Sequence, residues 1–142
     1  MIQILLIEES VAEAERIQVA FDSIDTPNNL TTVPDCEDAL DLLRINARFS
    51  EALRPDVVVL DLNLLSTGRT EVLEELKSHD ALRCIPVVVL TRPGRASDMK
   101  RAYDLAVTHF VTMPNDSDDY VRVAEIVADL VAYARLNRPT TP

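Results

Sequence analysis

The chain has 142 residues, 47% of them hydrophobic and 27% charged, with two glycines and no tryptophan, which describes one globular domain with a core of its own and excludes a disordered or collagen-like chain. Its formal charge of −10 opposes direct binding to nucleic acid or to anionic lipid, both of which need a basic surface. No apolar run approaches the roughly 20 residues of a membrane span, and no basic leader precedes the first apolar segment, so a cytoplasmic location is expected.

Ile2 to Ile7 is a short apolar run that ends at Glu8-Glu9-Ser10, and it reads as a buried strand. Ser10 and Glu13 have the spacing of a capping box, after which Ala14, Ile17, Phe21 and Ile24 fall on one helical stripe. The first helix is predicted to run to Ser23 or Ile24, where Asp25-Thr26-Pro27-Asn28 breaks it. A weak strand, Leu30 to Val33, follows, and Asp35 caps a second helix that turns Cys36, Ala39, Leu40, Leu43 and Ala47 inward.

Beyond Pro55-Asp56, the β-branched run Val57-Val58-Val59-Leu60 has the character of a central parallel strand covered on both faces, and it delivers Asp61 at its end. Thr70 to Ser78 carries Val72, Leu73 and Leu76 at helical spacing. Pro86 opens a second such run, Val87 to Leu90, which delivers Thr91. A Pro93-Gly94 turn leads to a fourth helix from about Ser97, with Met99, Ala102, Tyr103 and Ala106 inward.

Phe110 to Thr112 is the fifth strand and ends at Met113-Pro114. The last helix begins after Asn115, where Asp116, Asp118 and Asp119 suit the positive end of its dipole, and its core stripe is Tyr120, Val123, Val127, Leu130 and Ala134. The polar, proline-rich stretch 137–142 reads as a frayed tail after a domain spanning 1–136. Cys36 and Cys84 stand alone and read as small buried hydrophobes, and His79 and His109 read as surface or structural.

Five strands alternating with five helices predict an α/β doubly wound, flavodoxin-like parallel sheet of order 2-1-3-4-5 with helices on both faces. Ligands of such sheets gather beyond the carboxyl ends of the strands, where Glu8, Glu9, Asp61 and Thr91 all lie. Carboxylates crowded at one place repel one another, and a hard cation such as Mg²⁺ relieves this. In such a site Asp61 is a nucleophile toward a phosphoryl group and Thr91 a hydroxyl donor to its oxygens. Taken singly, the residues have plainer readings: Asp61 a turn residue, Thr91 a loop cap, Phe110 core, Glu8 solvated.

At these residues the chain resembles the receiver domains of two-component response regulators, in particular the single-domain type associated with cyanobacterial phytochromes. The resemblance rests on ILLIEES, RPDVVVLDLNL, ALRCIPVVVLT, RAYDLAVTHFVTMP and the closing amphipathic helix. It implies Asp61 as phosphoacceptor, Glu8 and Glu9 as the acidic pair with Glu9 nearer Mg²⁺, and the Asn63 backbone carbonyl as a further metal ligand. Thr91 becomes the switch hydroxyl and Phe110 the switch aromatic. It also implies a histidine kinase or phosphotransfer protein as donor, and a downstream protein partner.

The chain departs from the family pattern in four places. Met113 stands where the family has a lysine, which removes a charge-assisted hydrogen bond worth about 1.5–3 kcal/mol, or roughly tenfold to a hundredfold in the phosphorylated state. Glu9 replaces an aspartate, Leu65 replaces a proline with Gly68 one position early, and Pro93 stiffens the loop after Thr91. Arg92 or Arg95 is the candidate compensating cation.

Two signalling modes follow: phosphoryl acceptance on Asp61, or a pseudo-receiver that binds partners without phosphorylation. A phosphohydrolase, and with it enzyme status, is set aside because Asn63 occupies the place of the second aspartate such chemistry commonly uses as general acid. Tyr103, with Val121, Ile126 and Tyr133 of the last helix, marks a candidate homodimer face on the fourth and fifth helices.

Overall fold

In the computed structural model, residues 1–49, 54–61, 71–80, 82–91 and 109–136 are described, and all that follows refers to them. Strand β1 (Ile2–Ile7) pairs with β2 (Asn28–Val33) on one side and β3 (Val57–Asp61) on the other, with β4 (Val87–Thr91) and β5 (His109–Thr112) continuing the sheet. Every pairing is parallel and the order is β2-β1-β3-β4-β5, as expected. Helices α1 (Val11–Asp22), α2 (Cys36–Phe49), α3 (Glu71–Ser78) and α4 (Tyr120–Leu136) complete the described elements. The fourth helix of the sequence reading, from about Ser97, lies outside the described residues, so α4 here is the expected fifth.

The unbroken apolar strands are explained by two cores rather than one. Successive strand residues point to opposite faces. Leu5, Ile7, Val58, Leu60, Val87 and Val89 therefore pack with Ala39 and Leu43 of α2 and with Val72, Leu73 and Leu76 of α3. Ile4, Leu6, Val57, Val59, Val88 and Leu90 join Ile17 and Phe21 of α1 and Val123, Val127 and Val131 of α4 on the other face. No helix among the described residues is long and apolar enough to cross a membrane.

Local chemistry sets the element ends. Asp35 caps α2, its Oδ1 accepting from Asp38 N at 2.8 Å. α1 stops at Asp22, where Ser23 N donates to Ala20 O at 3.1 Å and its Oγ donates to Val19 O at 2.7 Å. β2 starts at Asn28, two residues before the expected Leu30, because Asn28 Nδ2 donates to Phe21 O at 2.9 Å and Ile2 N takes Pro27 O at 3.0 Å.

The last helix is entered through a 3-10 turn, Ser117–Asp119, in which Asp116 accepts from Asp118 N and Asp119 N, so α-helical structure begins at Tyr120. At its far end Arg135 reaches Asp56 Oδ2 at 2.9 Å, an oxygen that also accepts from Gln3 N at 2.8 Å. Cys36 is buried as expected, but Cys84 is exposed, since the turn before Pro86 spends its burial on Leu82 and Ile85. His79 accompanies Glu75 at 3.1 Å and His109 is exposed. The outer strands of the sheet are β2, flanked by Pro27 and Pro34, and the four-residue β5.

Candidate functional site

The register of the sheet brings the polar strand ends together. Ile7 pairs with Leu60, so the next residues, Glu8 and Asp61, lie level on neighbouring strands. Asp61 in turn pairs with Leu90, which sets Thr91 one residue further along β4. Asp61 is half-buried and so open to an approaching group, whereas Glu8 is only 5% exposed.

Glu8 is the electrostatic centre of the site. Its Oε1 accepts from Ser10 N at 3.1 Å, while its Oε2 is buried without a hydrogen-bond partner. Burial pushes its carboxyl above the ordinary range against the pull of the Ser10 N–H, and the charges of Asp61, Glu13 and Glu9 push it the same way. A buried carboxylate oxygen without a partner is costly, and a cation at this oxygen would offset that cost. The solvated reading of Glu8 is therefore corrected: Glu9 is the exposed member of the pair. A groove lined by Glu8, Glu9, Val11, Ala14 and Thr32 opens beside them.

Among the described residues no three His, Cys, Asp or Glu side chains form a ready-made metal cage. One or two carboxylates with retained waters is the arrangement Mg²⁺ commonly accepts, and the donor set of Glu8 and Asp61 fits it. Asn63, Arg92 and Arg95, like Leu65, Gly68, Pro93 and Tyr103, lie outside the described residues.

Thr91 is buried, and its hydroxyl faces β5, with Thr112 Oγ1 at 3.4 Å and Val111 O at 3.5 Å. Both contacts are longer than the usual O–H···O distance of about 2.8 Å, so these bonds hold the hydroxyl only weakly. Phe110 is half-buried against the core shared by α2 and α3. Met113 is 4% exposed and packed in the other core with Leu90, Val111 and Tyr120, its N–H donating to Thr91 O at 2.7 Å. The lost-lysine position is thus beside Thr91, and its side chain is core.

The structure adds Ser10, Glu13 and Tyr120, to which the sequence reading gave no role in the site. Only half of the expected capping box forms: Ser10 Oγ accepts from Glu13 N at 3.2 Å, but the Ser10 N–H is taken by Glu8. The Glu13 carboxylate instead accepts from the Tyr120 hydroxyl at 2.6 Å and from Arg16 Nη1 at 3.3 Å. On the last helix Val121 is half-buried, while Ile126 and Tyr133 are exposed.

Comparison with known proteins gives the family and the fold. The family model described as "Response regulator receiver domain" matches residues 4–125. The chain is 35% identical over 126 residues to "Probable methanogenesis regulatory protein FilR2" of Methanothrix harundinacea, covering 89% of this chain and 81% of that protein. Response regulator Rcp1 of Synechocystis is 30% identical over 122 residues, 86% of this chain and 83% of its own, and a structure of Mn²⁺-bound Rcp1 aligns with a TM-score of 0.72 at 28% identity over 100% and 99% of the two chains. The phosphorylated cyanobacterial phytochrome response regulator RcpA aligns with a TM-score of 0.75 at 32% identity, covering 99% of this chain and 97% of RcpA.

Proposed function

The chain belongs to the response regulator receiver family, and on that premise we propose that it acts as a stand-alone receiver taking a phosphoryl group onto Asp61 and changing its affinity for a downstream protein. The observation that carries this is the place of a half-buried Asp61 level with the buried, half-satisfied carboxylate of Glu8 at adjoining strand ends. Glu8, Glu9 and Asp61, with the Asn63 carbonyl, would hold a divalent cation, Mg²⁺ by preference. Bound there, such a cation supplies positive charge to the oxygens of the incoming group.

The chain's own residues do the rest. An Asp61 carboxylate oxygen bonds to phosphorus as the donor's bond to phosphorus breaks. The Thr91 hydroxyl turns from its long contacts on β5 to donate to a phosphoryl oxygen, and Phe110 follows it toward the core. The donor is a histidine kinase or phosphotransfer protein. The reading makes the chain a signalling module and not an enzyme, with no direct nucleic-acid contact, cytoplasmic, and able to pair with a second copy through the face that includes Ile126 and Tyr133.

The buried Met113 favours a second reading, a pseudo-receiver that binds its partner without phosphorylation, since no ammonium reaches the site from that position. Intact-mass measurement after incubation with Mg²⁺ and a small acyl phosphate separates the two. A gain of one phosphoryl mass in the parent and none in Asp61→Asn supports the first reading. No gain in either overturns it in favour of the second.

A further inference from the structure

Three hydrogen bonds run end to end from the acid pocket to the last helix. Glu8 Oε1 accepts from Ser10 N at 3.1 Å, Ser10 Oγ accepts from Glu13 N at 3.2 Å, and Glu13 Oε1 accepts from the Tyr120 hydroxyl at 2.6 Å. Glu13 and Tyr120 are 8% and 5% exposed, and the other oxygen of Glu13 is held by Arg16 at 3.3 Å. Glu13 has no part in the phosphoryl chemistry above, yet its carboxylate is buried and paired with the first residue of α4. A buried carboxylate is costly unless its partners are well placed, and these are placed by two different helices.

We infer that Ser10, Glu13 and Tyr120 are positioning residues for Glu8, and that through them cation binding in the acid pocket is coupled to the first turn of α4. The inference rests on the cation reading of the pocket given above. Only one oxygen of Glu8 is fixed, and it is fixed by the N-cap of α1. The depth of the first turn of α1 is set in turn by the bond that the Tyr120 hydroxyl donates to Glu13. Releasing the Tyr120 end loosens the turn, and the oxygen of Glu8 that faces the cation is less well aimed. Because linkage is reciprocal, the factor by which the loss of this tie weakens the cation is the factor by which the cation steadies the tie.

The test uses the full chain, with calorimetric Mg²⁺ titration and hydrogen exchange at the first-turn amides of α4. Tyr120→Phe and Ser10→Ala are expected to weaken Mg²⁺ binding by roughly 3- to 30-fold, the range such networks transmit. Lys77→Arg, at an exposed position on α3, is expected to leave it unchanged. Mg²⁺ is expected to slow exchange in the first turn of α4 in the parent and not in Tyr120→Phe. A merely structural role for Tyr120 would not produce that difference.

Mg²⁺ binding of equal strength in parent, Tyr120→Phe and Ser10→Ala overturns the coupling, as does bound Mg²⁺ that leaves α4 exchange untouched. Absence of Mg²⁺ binding in the parent overturns the cation reading together with the coupling. Should Tyr120→Phe fail to fold, Ser10→Ala carries the same test from an exposed residue.

Discussion

Replacing Glu8 with glutamine isolates the tension in the acid pocket. The parent buries a carboxylate whose Oε2 has no partner, close enough to Asp61, Glu13 and Glu9 for their charges to act on it. Gln keeps the shape and keeps an oxygen for the Ser10 N–H, but carries no charge and offers an N–H₂ where the orphan oxygen was. An unpartnered buried group costs about 1–3 kcal/mol, and more when it is charged, so exchanging the carboxylate oxygen for a neutral N–H₂ with no acceptor of its own relieves only the charged part, on the order of 1 kcal/mol. At about 3–4 °C per kcal/mol for a chain of this size, Glu8→Gln is expected to melt roughly 3–4 °C higher than the parent in EDTA at neutral pH.

The sign reverses with cation. Saturation at about a hundred times Kd stabilises a protein by about 2.7 kcal/mol, so Mg²⁺ should raise the parent's melting temperature and move the variant's much less. The pH dependence follows from the direction of the Glu8 shift. Its carboxyl is held above its ordinary 4.5, so in EDTA the parent's penalty is full above that raised value, shrinks as pH falls below it and is gone below 4.5, where the unfolded chain is protonated too. The gap between parent and variant should close on acidification. Thermal melts across pH, with EDTA and with Mg²⁺, read all three effects. A variant no more stable than the parent in EDTA, or equally stabilised by Mg²⁺, would refute the account of Glu8.

Other outcomes are expected at sites set by different physics. Met113→Lys restores one charge-assisted bond to a phosphoryl group and should raise the phosphorylated fraction at limiting acyl phosphate by roughly tenfold to a hundredfold, read by intact mass; an unchanged fraction shows that the missing charge does not limit the chemistry. Glu75 is held below its ordinary 4.5 by Arg44 and then by His79, so its contribution is full above pH 4.5 and fades as pH falls through the lowered value. Urea melts of parent and Glu75→Gln should therefore differ by up to about 1 kcal/mol at neutral pH and converge in acid; a constant gap contradicts this. Asp35→Ala removes the α2 cap and should cost about 1 kcal/mol in the same assay, whereas no loss would mean the 2.8 Å bond to Asp38 N is replaced by water.

What the sequence made legible was local or repeated. Val57 to Leu60 and Val87 to Leu90 were readable as central strands because a residue buried on either face must be apolar at every position, and the two cores divide them alternately. Ser10 and Asp35 were readable as caps because a cap is a short-range bond. Asp61 and Thr91 were readable as strand-end residues because the order of a doubly wound sheet decides which ends meet. The Glu13–Tyr120 bond was not readable, since its partners lie 107 residues apart and the local spacing of Ser10 and Glu13 offered a simpler use for the carboxylate. Burial of Glu8 and exposure of Glu9 were not readable either, because adjacent identical side chains are separated only by the direction in which the chain leaves β1.

The borders of the sheet have a consequence for how this protein meets others. Its β2 border presents Asn29, Thr31 and Thr32 to solvent and is stopped at either end by Pro27 and Pro34, which have no N–H to offer. The opposite border, β5, is four residues long and runs within two residues into Pro114. Neither gives an incoming extended peptide a long apolar rail on which to zip, the usual route to strand addition and to runaway stacking. Among the described residues, contact with a partner is thereby left to helix faces and not to the borders of the sheet.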